Sequence, residues 1–184
     1  MRPPTLACRP VEGGHPFPDA VQREIEQRRL RAMGRARGRV LDLGSPAGRA
    51  RLAAVINGAD PTERYDTVVS GGDLTRFPDL VAALRAAVAV LAPGGQVEVV
   101  EPVNHVCRGH TLLATLWSRH RAVAALHVER DVPAAMRAVG LTLGDLERVD
   151  VPTVVWPLRQ LVHVRARIVP SMANMGHERA GAVA

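Results

Sequence analysis

The chain has 184 residues and a net charge of +6, with 47% hydrophobic and 3% aromatic residues, which suits a single globular domain and excludes a disordered chain. All 24 basic residues are arginine, so a phosphate-loop lysine, a Schiff-base lysine and a lysine general base are excluded. With so few aromatic residues beside the arginines, the charge has no stacking platform and argues against nucleic acid.

Cys8 and Cys107 are too few for a disulfide framework. Residues 1–14 have no apolar run of leader length, and the apolar stretch Leu112–Val128 is interrupted by Arg119, His120 and Arg121. A cytoplasmic protein without a membrane span is expected. Residues 1–18, rich in proline and glycine, read as a flexible arm. Asp19 can cap a helix to about Met33, with Val21, Ile25, Arg28/Arg29 and Leu30 in register and Gly34–Gly38 as its break. Val40–Leu43 is a short apolar strand, followed by the turn Gly44-Ser45-Pro46-Ala47-Gly48 and a helix from Arg49 to Ile56 that ends at Asn57-Gly58. In open α/β sheets a loop at the carboxyl end of a strand is where ligands bind, and the following helix N-terminus favours negative charge.

Tyr65–Ser70 is a second strand, leaving through Gly71-Gly72-Asp73. Pro78–Leu91 is an amphipathic helix, with Leu80, Val81, Leu84, Val88 and Leu91 on one stripe. Pro93-Gly94-Gly95 turns the chain into a third strand, Gln96–Val100, ending at Glu101-Pro102. Helices are expected at Thr111–Leu126 and, capped by Asp131, at Val132–Val139 before Gly140. Leu141–Val149 and Leu161–Val169 read as a final strand pair, the latter placing Val162, Val164, Ala166 and Ile168 opposite His163, Arg165 and Arg167. Residues 19–169 form the domain and 170–184 a tail. Three βα units and a terminal pair give a mixed sheet of about five strands.

Four stretches in this order resemble the class I S-adenosylmethionine-dependent methyltransferases, most closely the type-11 and thiol methyltransferase-like groups. They are Arg39-Val-Leu-Asp-Leu-Gly44 with Gly48; Tyr65-Asp-Thr-Val-Val-Ser70; Val90-Leu-Ala-Pro-Gly-Gly-Gln-Val-Glu-Val-Val-Glu101-Pro102; and His127-Val-Glu-Arg-Asp131 with the helix to Gly140. The resemblance spans about Gly38–Ile168 and implies a Rossmann-like methyltransferase fold ending in an antiparallel strand pair. It implies S-adenosylmethionine as cofactor and a small-molecule acceptor. Two departures stand out. Pro46 replaces a glycine of the first motif, and proline has a fixed φ and no N–H. The interval Ser45–Arg64 holds one helix, without room for the family's usual second and third strands.

The resemblance places Asp42, Gly44, Ser45, Gly48, Ser70 and Gly71 at the cofactor, with Asp60 as the remnant of the acid that holds the ribose. Asp42 equally reads as a strand-end acid bonded to loop N–H groups. Asp73, Glu101 and His105 are candidates for the acceptor side, Asp73 and Glu101 as bases or as turn carboxylates. Cys107 and His110 have a usable metal spacing, but no second close pair accompanies them, and no metal is expected. Two functions follow: a methyltransferase acting on a small molecule, or a non-catalytic methyltransferase-like subunit. Without its outer strands, Val40–Leu43 lies near an open sheet edge, which the arm, the first helix, a second copy or a partner chain would cover.

Overall fold

The chain enters its sheet at β1, Val40–Asp42, after the long helix α1, Asp19–Arg35. The computed structural model describes residues 17–103, 130–152 and 160–168. After β1 come α2 (Pro46–Ile56), β2 (Tyr65–Gly71), a 3-10 turn at Leu74–Arg76 and α3 (Leu80–Val90). They are followed by β3 (Leu91–Pro102), α4 (Val132–Ala138), β4 (Leu141–Asp150) and β5 (Gln160–Ile168). The sheet has five strands in the order β1-β2-β3-β5-β4. β1, β2 and β3 are parallel, and β5 runs antiparallel to both β3 and β4. Only turn and coil separate α2 from β2, so the expected five-stranded sheet without second and third strands is what forms.

That deletion decides where α2 goes. Parallel crossovers are right-handed. β1, β2 and β3 follow one another in the same direction across the sheet, so both crossover helices must lie on the same face. α2 accordingly packs against α3, and α3 against α4. Leu52 of α2, Leu84 of α3 and Met136 of α4 join Leu41, Val68, Val97, Val99, Val162 and Val164 in one apolar layer.

The other face carries α1, which lies over β2 and β3. Phe17, Val21 and Ile25 bury against Val100, Val151 and Leu161. Further along the helix the contacts become ionic. Arg28 reaches Glu147 at 2.7 Å, Arg29 reaches Asp42 at 2.7 Å and Arg35 reaches Glu98 at 2.6 Å. Three details of α1 differ from expectation. Asp19 is its first residue and makes no side-chain cap. The helix runs through Gly34 to Arg35. Leu30 is 57% exposed, and the arginines Arg28 and Arg29 take the inward positions instead.

The other elements follow their local chemistry. Asp79 Oδ1 accepts from the Ala82 N–H and starts α3 two residues after Phe77; Asp131 Oδ1 does the same for Ala134 in α4. Gly58 and Gly140, both at positive φ, end α2 and α4. The turn at Pro93–Gly95 is folded into the start of β3: Tyr65 pairs with Leu91 but Thr67 with Gln96, so the residues between bulge out. On β5, Val162, Val164 and Ala166 enter the apolar layer while His163 faces Glu98, as the alternation predicts. Among the described residues no helix is long and apolar enough to cross a membrane.

Candidate functional site

The carboxyl ends of β1, β2 and β3 form one rim. At β1 the ladder continues one residue past the strand, the Leu43 N–H donating to Val69 O at 2.9 Å. Asp42 then turns its carboxylate toward α1 and accepts the Gly44 N–H at 3.0 Å. Ser45 is the N-cap of α2. Its hydroxyl accepts from Gly48 N at 3.0 Å and donates to Asp42 O at 2.8 Å. Pro46 occupies the first helical turn, where a missing N–H removes no intrahelical bond. A Cβ on Gly48 would lie 2.0 Å from Asp42 O, so that glycine lets the helix press onto the strand end. Ser45, Pro46 and Gly48 therefore build the turn. Asp42 and Gly44 face outward from it.

The second rim segment is tied to the first by an arginine that the motifs do not mark. Arg49 Nη1 donates to Leu43 O at 3.0 Å and Gly44 O at 2.9 Å, and lies 3.2 Å from Asp73 Oδ1. Asp73 is fully buried, and Arg76 Nε is 3.6 Å from the same oxygen. Burial pushes the Asp73 carboxyl up to about 6, against the pull of Arg49 and Arg76. Glu101, also fully buried, accepts the Ser70 hydroxyl at 2.6 Å and the Leu74 N–H at 3.0 Å. Burial pushes its carboxyl up to about 8, with the Ser70 and Leu74 bonds opposing. Asp73, Glu101 and Ser70 thus hold the exit of β2 from beneath. Both carboxylates are closed off from solvent.

Above the rim lies Arg29. Its guanidinium makes a paired contact with Glu26, Nε to Oε2 at 2.8 Å and Nη2 to Oε1 at 2.7 Å, and Nη1 donates to Asp42 Oδ2 at 2.7 Å. The Glu26 hydrogen bonds, and after them those of Asp42, raise its pKa against the cost of desolvation. A Cβ on Gly44 would come 3.0 Å from Arg29 Nη1, and one on Gly71 would come 2.7 Å from Arg29 Cδ. Beside it a cavity of about 360 Å³ is lined by Phe17, Gln22, Arg23, Ile25, Glu26 and Gly71.

The structure therefore brings Asp42, Gly44, Gly71 and the buried Ser70 to one rim and leaves Asp60 out. α2 starts at the carboxyl end of β1 and returns to the amino end of β2, so exposed Asp60, just after it, is at the opposite rim. His105, Cys107, His110, His120 and the expected helix Thr111–Leu126 lie outside the described residues. Among the described residues no cluster of His, Cys, Asp and Glu is placed to hold a metal ion. Sequence reasoning missed Arg29 and Arg49. The available signal for Arg29 was a cation on the inward register of α1, seven to eight positions beyond Val21.

A parallel βα sheet closed by an antiparallel pair, with a glycine turn at the first strand's carboxyl end, is the Rossmann-like fold of class I S-adenosylmethionine-dependent methyltransferases, here short of two strands. The N-methyltransferase NodS of Bradyrhizobium japonicum, crystallised with S-adenosylhomocysteine, is similar to this chain at a TM-score of 0.54 and 18% identity, over 82% of this chain and 88% of that one. A methyltransferase of Thermotoga maritima that depends on S-adenosylmethionine matches at a TM-score of 0.51 and 15% identity, over 81% and 91%. The cyclase SpnF matches at 0.51 and 15%, over 89% and 87%, so the fold alone does not fix the reaction. No family model and no curated protein sequence matches the chain.

Proposed function

We propose that this chain is an S-adenosylmethionine-dependent methyltransferase acting on a small molecule, with its cofactor at the rim between α1 and the ends of β1 and β2. The observation that carries this reading is the convergence of Asp42, Gly44 and Gly71 beside the cavity under α1. The Asp42 carboxylate suits an ammonium group, and the two glycines allow a ligand to approach the backbone closely. When bound, the cofactor supplies a methyl group on a sulfonium. The chain's part is placement, because methyl transfer to a good nucleophile depends mainly on in-line positioning. Phe17 and Ile25 offer the acceptor an apolar wall, with Arg23 and Gln22 at its edge.

A second reading, a non-catalytic partner subunit, is favoured by one observation: no strand between α2 and β2 supplies a ribose-holding acid, and Asp60 is at the far rim. Thermal melting with S-adenosylmethionine or S-adenosylhomocysteine separates the two. A bound ligand at about 100 times its Kd stabilises by about 2.7 kcal/mol, which raises the midpoint by several degrees. A midpoint that does not move with either compound favours the partner subunit.

A further inference from the structure

Arg29 stands between the two halves of the candidate crevice. On one side it contacts Glu26 and lies against Gly71, both of which line the cavity. On the other it bonds Asp42 and lies against Gly44, both in the turn after β1. Gly44 is approached by the Arg29 guanidinium and Gly71 by its aliphatic stem. The guanidinium pairs with two carboxylates, and the side chain is only 17% exposed.

We propose that Arg29 is a built-in cation that occupies the seat at Asp42 and closes the crevice, and that a cationic ligand enters by displacing it. The proposal rests on the cofactor reading above, in which the entering cation is the ammonium and sulfonium of S-adenosylmethionine. One cation replaces another at Asp42, so the carboxylate stays paired in both states. Glu26 keeps the released arginine close, because their paired contact lies within one helical turn.

Two measurements test this. In calorimetric titrations, Arg29→Ala should bind S-adenosylmethionine at least tenfold tighter than the parent protein, with a smaller gain for S-adenosylhomocysteine, whose sulfur is uncharged. Arg29→Gln, which keeps the stem and loses the charge, should fall between. Unchanged or weaker binding by Arg29→Ala would overturn the proposal, and weaker binding would make Arg29 a ligand-holding residue instead. The second measurement needs no ligand. Gly71→Ala should lower the melting temperature of the parent protein by several degrees, because its Cβ meets the Arg29 stem, and should cost much less in an Arg29→Ala background. If neither protein binds either compound, the cofactor reading fails, and this comparison still decides whether Arg29 closes the crevice. Equal losses in the two backgrounds would show that it does not.

Discussion

On one face of the sheet α2, α3 and α4 bury Leu52, Leu84 and Met136 in a continuous apolar layer; on the other, α1 is held by a small apolar patch and by arginine–carboxylate contacts to three different strands. The asymmetry has a topological origin. With two strands gone, the right-handed crossover draws α2 onto the α3 face and leaves α1 alone on its own side among the described helices. Apolar burial is non-directional and is not weakened by charge screening, whereas ion pairs depend on partners, pH and screening. The face built to persist is therefore the α3 face. The face that can rearrange is the one above the rim, where Arg29 meets Asp42.

The contrast can be broken most forcefully from the apolar side. Leu84→Ala, at a fully buried position in α3, should destabilise by about 2–5 kcal/mol in urea denaturation. A loss under 1 kcal/mol would mean that the apolar layer is not the main support.

Next in size is a pH effect seated under the rim. Glu101 has its folded pKa raised from 4.5 to about 8, so the folded state holds this proton more tightly than the unfolded chain. Its contribution is complete below the ordinary carboxylate range and is lost as pH rises to about 8. Asp73, raised to about 6, adds a loss of the same sign over a lower window. Stability should therefore fall between about pH 4 and 8, on the order of a few kcal/mol. Glu101→Gln should flatten most of that slope. A slope unchanged in the variant would remove Glu101 as its source.

The smallest of the three sharpens the ionic side. Glu98 is fully buried among Arg35, His163 and Arg165, and its carboxyl lies below the ordinary range because the His163 hydrogen bond and these charges outweigh desolvation. Glu98→Gln should cost about 1–3 kcal/mol, less than a fully enclosed pair because Arg35 is half exposed and regains water. Hydrogen exchange should quicken in α1 and leave α3 unchanged. Equal acceleration in both helices would show that the faces do not respond separately.

Much of the fold is legible in the sequence because its signals are local. The alternation of β5, the stripe of α3 and the cap at Asp131 each need only near neighbours, and the short interval before Tyr65 leaves room for one helix alone. The site was less legible for a physical reason. Gly44 and Gly48 belong to one motif, yet one faces Arg29 of α1 and the other packs a helix onto a strand end. Asp60 was read as the remnant of a ribose-holding acid, and its place at the opposite rim follows only from where α2 returns the chain. Arg29 precedes the motif by more than a helical turn and a loop, and its contact with Asp42 exists only once α1 crosses the sheet.

In the proposed function a ligand enters at the rim between α1 and the ends of β1 and β2. Hydrogen exchange of the purified protein with and without saturating S-adenosylmethionine tests it most directly. Exchange should slow at Gly44–Ser45, at Gly71–Gly72 and along the first turns of α1, with no change at Asp60–Arg64. Unchanged exchange at the rim, or protection confined to Asp60–Arg64, would contradict it.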